Sequence, residues 1–272
     1  TFRKLLPDMI IVGLYAALFV YLENHFFAPR GIQFFKSFEG FHAIISFAFS
    51  LLLVFRINSA YDRWWEGRKI WGALVNDSRN LALKIACFVE DEGSKRYFSE
   101  MIPNFAMATK EHLREGVIWK ELQGSAVLKT EIRDSDHVPA AITRDMYRHL
   151  NNLRIENKIS LEQFLAIDDH LKKNMDHVGA CERIRNTPIP FSYGLFLKKF
   201  ILLFVLTAPL DFISYFHWGT VPLSMLILYV FVSLELISEE IEDPFQKGGN
   251  DLPTDDIAIN IRNNATELLG TG

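Results

Sequence analysis

Three side chains on one predicted helix have the types and the spacing of a transition-metal site. His170, His177 and Cys181 are separated by seven and four residues, so a helix would place them on one face. Imidazole and thiolate groups are ligands that zinc prefers. The same pattern also fits ordinary packing between helices, which is its commoner use, and we therefore expect no metal here.

Other signatures of catalysis are missing from the sequence. It contains no glycine-rich phosphate loop, no G-x-S-x-G and no H-E-x-x-H. Its two cysteines, Cys87 and Cys181, form no C-x-x-C pair, which excludes a disulfide scaffold and the familiar structural zinc sites. A net charge of −4 argues against a nucleic-acid binder, which needs a basic face. We predict no enzyme activity, no cofactor and no nucleic-acid partner.

An apolar stripe offers a different kind of site. Phe47, Leu51 and Phe55 recur every four residues and so share one face of a helix, with Ser46 and Ser50 on a neighbouring face. The stripe could pack against another helix of the same subunit. It could also line a symmetry axis as apolar rings about 6 Å apart, and such rings can gate a pore by dewetting.

An acidic face follows the last apolar stretch. Glu235, Glu239 and Glu242 are spaced by four and three residues near the end of a predicted helix, where negative charge opposes the helix dipole. Solvation, a cation site, or salt bridges to the second helix could compensate it. The candidate partners for salt bridges are Arg63, Arg68 and Lys69.

Four apolar windows provide the elements that would position these residues. They cover 9–22, 41–55, 200–216 and 221–234, and His42 and Asp211 are the only Asp, Glu, Lys, Arg or His residues in the second and third windows. Each is shorter than the roughly 20 residues that cross a bilayer, so a soluble helical oligomer with buried apolar hairpins is one alternative. Their arrangement in two pairs around a long charged block favours two membrane hairpins.

Proline positions predict one very long helix. Because no proline lies between Pro29 and Pro103, the second apolar window can continue as helix to roughly Glu90, well beyond a bilayer. A turn is expected at 92–94, where the sequence reads Glu-Gly-Ser. Ser160 and Gln163 form a capping box that begins a further helix, which is expected to end near Arg185.

Basic residues predict the orientation of the windows. They cluster before the first window, after the second and before the third, at Arg3, Lys4, Arg56, Arg63, Arg68, Lys69, Lys198 and Lys199. Since cytoplasmic loops are enriched in Lys and Arg, both termini and the middle block are predicted to be cytoplasmic.

Several sequence blocks resemble the bestrophin family of ion channels, and most closely its bacterial branch. They lie in order across most of the chain. The blocks are Phe55-Arg56, Asn58-Ser59-Ala60-Tyr61, Arg63-Trp64, Glu66-Gly67-Arg68-Lys69-Ile70-Trp71-Gly72, Gly179-Ala180-Cys181-Glu182-Arg183-Ile184, Thr187-Pro188-Ile189-Pro190-Phe191, Glu239-Glu240-Ile241-Glu242-Asp243-Pro244-Phe245 and Asn250-Asp251-Leu252-Pro253.

The resemblance implies a homopentamer in a lipid bilayer, all helical, with four transmembrane helices per subunit around a central pore for monovalent ions. It implies that Phe47, Leu51 and Phe55 form the hydrophobic neck of that pore and that Gln163 lies near a cytosolic restriction. Animal relatives carry a run of acidic residues, a calcium clasp, after the position of Phe245. Here Asp251 is the lone carboxylate of that run, so we expect no clasp, because calcium needs six to eight oxygen ligands.

The sequence therefore predicts a passive ion channel, conducting either anions such as chloride or cations such as sodium, in a bacterial inner membrane. We expect membrane hairpins at 1–55 and 196–237, a cytosolic helical region at 56–195 and a cytosolic segment at 238–272. A membrane-anchored scaffold whose cytosolic helices bind a partner protein is the alternative. We assign five residues as charges of the vestibules or of the scaffold: Arg63, Glu66, Glu235, Glu239 and Glu242.

Overall fold

The computed structural model describes residues 2–27, 39–124 and 130–270. Over these ranges the chain is helical, with no strand, which confirms the expected all-α class. The α-helices are α1 (Phe2–Leu22), α2 (Glu39–Phe88), α3 (Glu92–His112), α4 (Thr130–Arg133), α5 (Val138–Ile155), α6 (Leu161–Asn186), α7 (Phe191–Phe216), α8 (Thr220–Glu242) and α9 (Thr254–Leu268). A π-helical turn, Glu23–Phe27, follows α1, and short 3₁₀ turns occupy Trp119–Glu121 and His217–Gly219.

The long helix expected from the proline positions is confirmed. Helix α2 runs for 50 residues without interruption, which corresponds to about 75 Å at the α-helical rise. It ends at Phe88, and Asp91 caps α3 by accepting a hydrogen bond from the backbone N–H of Ser94 at 2.7 Å. The predicted turn at 92–94 was therefore wrong by about two residues, because the cap places Gly93 and Ser94 inside the first turn of α3.

The chain divides into two compact units. Unit 1 comprises Thr1–Asp62 and Pro188–Glu242, and unit 2 comprises Arg63–Thr187 and Asp243–Gly272. Unit 1 thus contains α1, the first part of α2, α7 and α8. Unit 2 contains the rest of α2 together with α3, α4, α5, α6 and α9.

Unit 1 has an aromatic and aliphatic core. The ring of Phe49 in α2 stacks on Phe200 and Phe204 of α7 and meets Phe231 of α8 edge-on at 4.8 Å. Leu53, one turn further along α2, is also buried. This packing fixes which face of α2 points into the unit, and the opposite face therefore points outward.

The apolar helices of this part of the chain are suited to a lipid environment. Within the described residues, three segments are long and apolar enough to cross a membrane: Phe2–His25, His42–Phe88 and Phe191–Glu242. The third includes α7, the short turn His217–Gly219 and α8. In each segment only 22% of the most apolar window is buried inside the chain. A core helix of a soluble protein would bury much more, so these helices present their apolar side chains to their surroundings.

Unit 2 is held by an apolar core and by an ionic cluster in which two buried cations bind a half-exposed carboxylate of its last helix. Arg114, which is buried, donates to Asp255 at 2.8 Å and to Glu111 at 2.9 Å. Lys110 donates to the same Asp255 carboxylate at 2.7 Å. Hydrogen bonds from Arg114 and Lys110 hold the pKa of Asp255 well below its ordinary value. Helix α9 is thus tied at its first turn to the end of α3.

Candidate functional site

The apolar stripe of α2 lies on the outward face of the helix. The side chains of Phe47, Leu51 and Phe55 are 69%, 44% and 62% exposed, whereas Phe49 and Leu53 between them are buried. Within residues 2–27, 39–124 and 130–270, no other helix of the chain covers these three side chains, which disagrees with the alternative that the stripe packs inside its own subunit. The exposed apolar surface of α2 in unit 1 also includes Ile44 and Val54.

Two serines beside the stripe direct their hydroxyl protons into the helix. The Ser46 hydroxyl donates to the carbonyl of His42 at 2.6 Å, and the Ser50 hydroxyl donates to the carbonyl of Ser46 at 2.8 Å. Each hydroxyl therefore donates its proton to a backbone carbonyl one helical turn earlier in α2. The two hydroxyl protons therefore do not point outward beside the stripe. The stripe itself consists of two aromatic rings and one aliphatic side chain, none of them charged.

The acidic end of α8 forms salt bridges with two residues that the sequence analysis did not name as partners, Arg56 and Lys198. Arg56 of α2 lies 2.7 Å from Glu242 and 3.7 Å from Glu235. Arg56 and Glu235 are 4% and 3% exposed, so this is a buried ionic cluster. The remaining acid, Glu239, pairs with Lys198 of α7 at 3.0 Å on the surface.

Glu242 has a second structural role. Its carboxylate also accepts the backbone N–H of Ile189 at 2.7 Å, in the Pro-Ile-Pro segment before α7. Proline cannot donate a backbone hydrogen bond, so Ile189 supplies the donor of this segment. The acidic face therefore joins α2, α7 and α8 at one end of unit 1.

Arg63 and Glu66 secure the end of α6 within unit 2. The Arg63 guanidinium donates to the backbone carbonyls of Ile184 and Thr187, and Glu66 accepts from Arg183 at 2.8 Å. Carbonyls in the last turn of a helix have no partner within the helix, and a guanidinium is well suited to satisfy them. Both predicted site residues thus make contacts with the end of α6 inside unit 2.

Gln163 belongs to the N-terminal cap of α6. Its side-chain oxygen accepts the backbone N–H of Ser160 at 2.8 Å, while the Ser160 hydroxyl accepts the backbone N–H of Gln163 at 3.2 Å. This reciprocal pair confirms the capping box and the start of α6 at Leu161. Gln163 is partly buried beside the exposed apolar side chains of Leu161 and Leu165.

Asp251 closes a tight loop after α8. Its carboxylate accepts the backbone N–H of Gly248, and the indole of Trp64 donates to the neighbouring carbonyl of Asn250 at 3.0 Å. Phe245, which opens this loop, is buried against Gly67, where an added Cβ would lie 3.3 Å from its ring. The segment is organised by hydrogen bonds and by the close approach at Gly67.

The two histidines of the stripe His170, His177 and Cys181 share a carboxylate of α2. His170 Nδ1 lies 3.0 Å from one oxygen of Asp77, and His177 Nε2 lies 2.7 Å from the other. Cys181 is buried, and this burial raises the pKa of its thiol to about 12, so the thiolate is disfavoured. The stripe attaches α6 to α2, as expected for helix packing.

A second histidine cluster was not predicted from the sequence. His112, His137 and Glu182 have ligand atoms within 4.8 Å of one another, although they come from three separate elements. No short spacing motif connects them, since 25 and 45 residues separate consecutive members. Only the packing of α3, α5 and α6 brings them together.

Comparisons show which known proteins this chain resembles. A family model described as Bacterial/Fungal Bestrophin protein matches residues 1–267. The voltage-dependent anion channel-forming protein alr2987 of Nostoc sp. is 35% identical over 232 residues, which are 83% of this chain and 76% of that protein. The voltage-dependent anion channel-forming protein YneE of Escherichia coli K12 is 34% identical over 222 residues, covering 79% of this chain and 71% of the relative.

Solved structures show the same fold. The crystal structure of a bacterial bestrophin homolog from Klebsiella pneumoniae superimposes with a TM-score of 0.86 at 24% identity, covering 98% of both chains. The whole-length family match and the curated relatives together show that this chain belongs to the bacterial and fungal bestrophin family.

Proposed function

We propose that this protein is a passive channel for small anions, built from five copies arranged around a pore that the first part of α2 lines. The observation that supports the proposal best is the outward apolar stripe of Phe47, Leu51 and Phe55. An apolar face of this kind must be covered by lipid, by a different surface of another copy of the chain, or by the same stripe in other copies. A closed ring of five copies provides the last arrangement.

A neck formed in this way would control ion passage by excluding water. Each residue of the stripe would contribute one ring, and successive rings would be about 6 Å apart along the axis. An ion cannot shed its hydration cheaply between apolar side chains, so a narrow apolar neck is a barrier even when it is not closed sterically. Rotation of the side chains or a small shift of α2 would wet the neck and allow ions to pass.

Anion conduction is favoured over cation conduction by two observations. Arg56 and Lys198 balance two of the three carboxylate charges at the acidic end of α8, which reduces the negative surface that would attract cations. The relatives from Nostoc and Escherichia coli are named voltage-dependent anion channel-forming proteins. The neck itself is neutral, so we infer that selectivity arises from charges and helix dipoles in the vestibules.

We also propose the topology that the sequence suggested. The segment Phe191–Glu242 would cross the membrane twice, as α7 and α8, giving four transmembrane helices with α1 and the first part of α2. The distribution of Lys and Arg supports cytoplasmic termini and a cytoplasmic unit 2. A bacterial inner membrane fits this arrangement.

The sign of the conducted charge can be measured in planar bilayers. Purified full-length protein should give currents whose reversal potential, under a KCl gradient, lies near the chloride equilibrium potential. Currents should be recorded over a range of voltages because the relatives carry the name voltage-dependent anion channel-forming protein. A reversal potential near the potassium value would contradict anion selectivity. Absence of conductance, combined with retention of a soluble partner by the 90–185 region, would favour the scaffold alternative.

A further inference from the structure

We propose that His112, His137 and Glu182 form a binding site for a transition-metal dication of the zinc class. The Nε2 atoms of both imidazoles point at the same carboxylate oxygen of Glu182, at 2.7 Å for His112 and 3.0 Å for His137. The two rings stack with their centroids 4.5 Å apart. Three groups that can each donate a lone pair therefore converge on one point.

The site is built on fixed parts of unit 2. His112 is the last residue of α3, and its carbonyl accepts a hydrogen bond from Arg185 at 2.9 Å. His137 is the N-cap residue of α5, and Glu182 lies in the last turns of α6. The three side chains are 20%, 35% and 30% exposed, so an ion can reach them from solvent.

The ligand types select the class of metal. Two imidazoles and one carboxylate are a ligand set that zinc uses when it keeps a fourth position for water or another ligand. Calcium and magnesium prefer oxygen ligands throughout, so two nitrogens disfavour them. The cluster carries one negative charge when both imidazoles are neutral, which suits a dication.

The spacing needs only a small adjustment. Tetrahedral zinc with bonds of about 2.0–2.1 Å holds its ligand atoms roughly 3.3 Å apart. The present separations from Glu182 are 2.7 and 3.0 Å. Side-chain rotations that open the cluster by roughly half an ångström would therefore accommodate the ion.

Binding has one identifiable cost. His137 Nδ1 accepts the backbone N–H of Ala140 at 3.2 Å, so its proton is on Nε2, where it can donate to Glu182. A metal on Nε2 requires the other tautomer, with the proton on Nδ1, and this cap is then lost. Loss of an N-cap lowers affinity by roughly fivefold, which a three-ligand site can tolerate.

The position of the site suggests a consequence for α2. Glu182 is followed by Arg183, which pairs with Glu66, and by Ile184, whose carbonyl accepts from Arg63. A bound ion would restrain the end of α6 to which this part of α2 is attached. An effect of the ion on conduction rests on the proposed channel function, whereas binding of the ion does not.

Binding can be measured directly on the untagged full-length chain in detergent, since a histidine tag would itself bind zinc. Calorimetric titration with ZnCl₂ should give one site per chain, and bound Co²⁺ should show the visible absorption of a tetrahedral complex. Each of His112→Gln, His137→Asn and Glu182→Gln should weaken zinc binding by more than about tenfold. Removal of a residue that only supports a ligand already costs about tenfold, and each of these variants removes a ligand itself.

Two variants make the test interpretable. Asparagine is a good N-cap residue, so His137→Asn removes the ligand while it preserves the start of α5. His177→Gln serves as the control, because glutamine can still donate to Asp77 and this histidine lies outside the cluster. Failure of the wild type to bind zinc, or binding that His137→Asn leaves unchanged, would overturn the proposal. Loss of binding in His177→Gln alone would place the metal elsewhere and overturn it equally.

Discussion

Replacing Phe47, Leu51 and Phe55 together by alanine should raise chloride flux into liposomes at least about tenfold, which corresponds to a barrier lower by about 1.4 kcal/mol. In the proposed pore, truncation removes the apolar rings that keep the neck dry and widens it, so the hydrated ion meets a smaller barrier. Because the three side chains are exposed in the single chain, their truncation leaves no cavity in unit 1. The variant should therefore fold and assemble normally.

A matched triple variant controls for the loss of apolar surface. Ile11, Leu14 and Leu202 are 63%, 67% and 60% exposed, but they lie on α1 and α7. Their replacement by alanine should leave the flux close to that of the wild type. An equal flux for the α2 variant and the wild type would remove the stripe from the gate.

Replacing Arg56 by methionine should lower the melting temperature of the protein in detergent by roughly 10 °C. The reason is that Glu235, 3% exposed, would remain in a buried position without its cation, and breaking a buried ion pair costs about 3–5 kcal/mol. Glu242 would lose its 2.7 Å partner at the same time. The measurement is thermal unfolding followed by circular dichroism.

The surface pair of Lys198 and Glu239 provides the control for Arg56. Both side chains are about half exposed, so Lys198→Met should cost no more than about 1 kcal/mol. The double variant Arg56→Met with Glu235→Gln should recover part of the lost stability, because no unpaired charge then remains at position 235. Similar small shifts for Arg56→Met and Lys198→Met would contradict the assignment of Arg56 as the buried anchor of the acidic helix end.

Local rules were sufficient to predict the helices that carry the site. The absence of proline predicted the length of α2, and the Ser160–Gln163 capping box predicted the start of α6. Four-residue spacing predicted that Phe47, Leu51 and Phe55 share a face. Whether that face points inward or outward depends on how α2 packs, and periodicity alone could not decide it.

Pairing between distant segments was harder to predict. The sequence analysis named Arg63, Arg68 and Lys69 as candidate partners of the acidic helix end but did not name Arg56, which pairs with Glu235 and Glu242. The sequence does contain a pattern that points to Arg56. Phe49, Leu53 and Arg56 follow the four-and-three spacing of one buried helix face. A buried arginine on such a face must find a carboxylate, which points to α8.

The most direct test of the pore is chemical modification of the middle ring. Leu51→Cys should be made with Cys87, which is exposed, replaced by serine, while Cys181 is buried and can be retained. Treatment with a charged, water-soluble thiol reagent should abolish most of the current, because modified side chains would then meet at the axis. Unchanged current, with labelling of Leu51→Cys verified by mass spectrometry, would show that α2 does not line the conduction path.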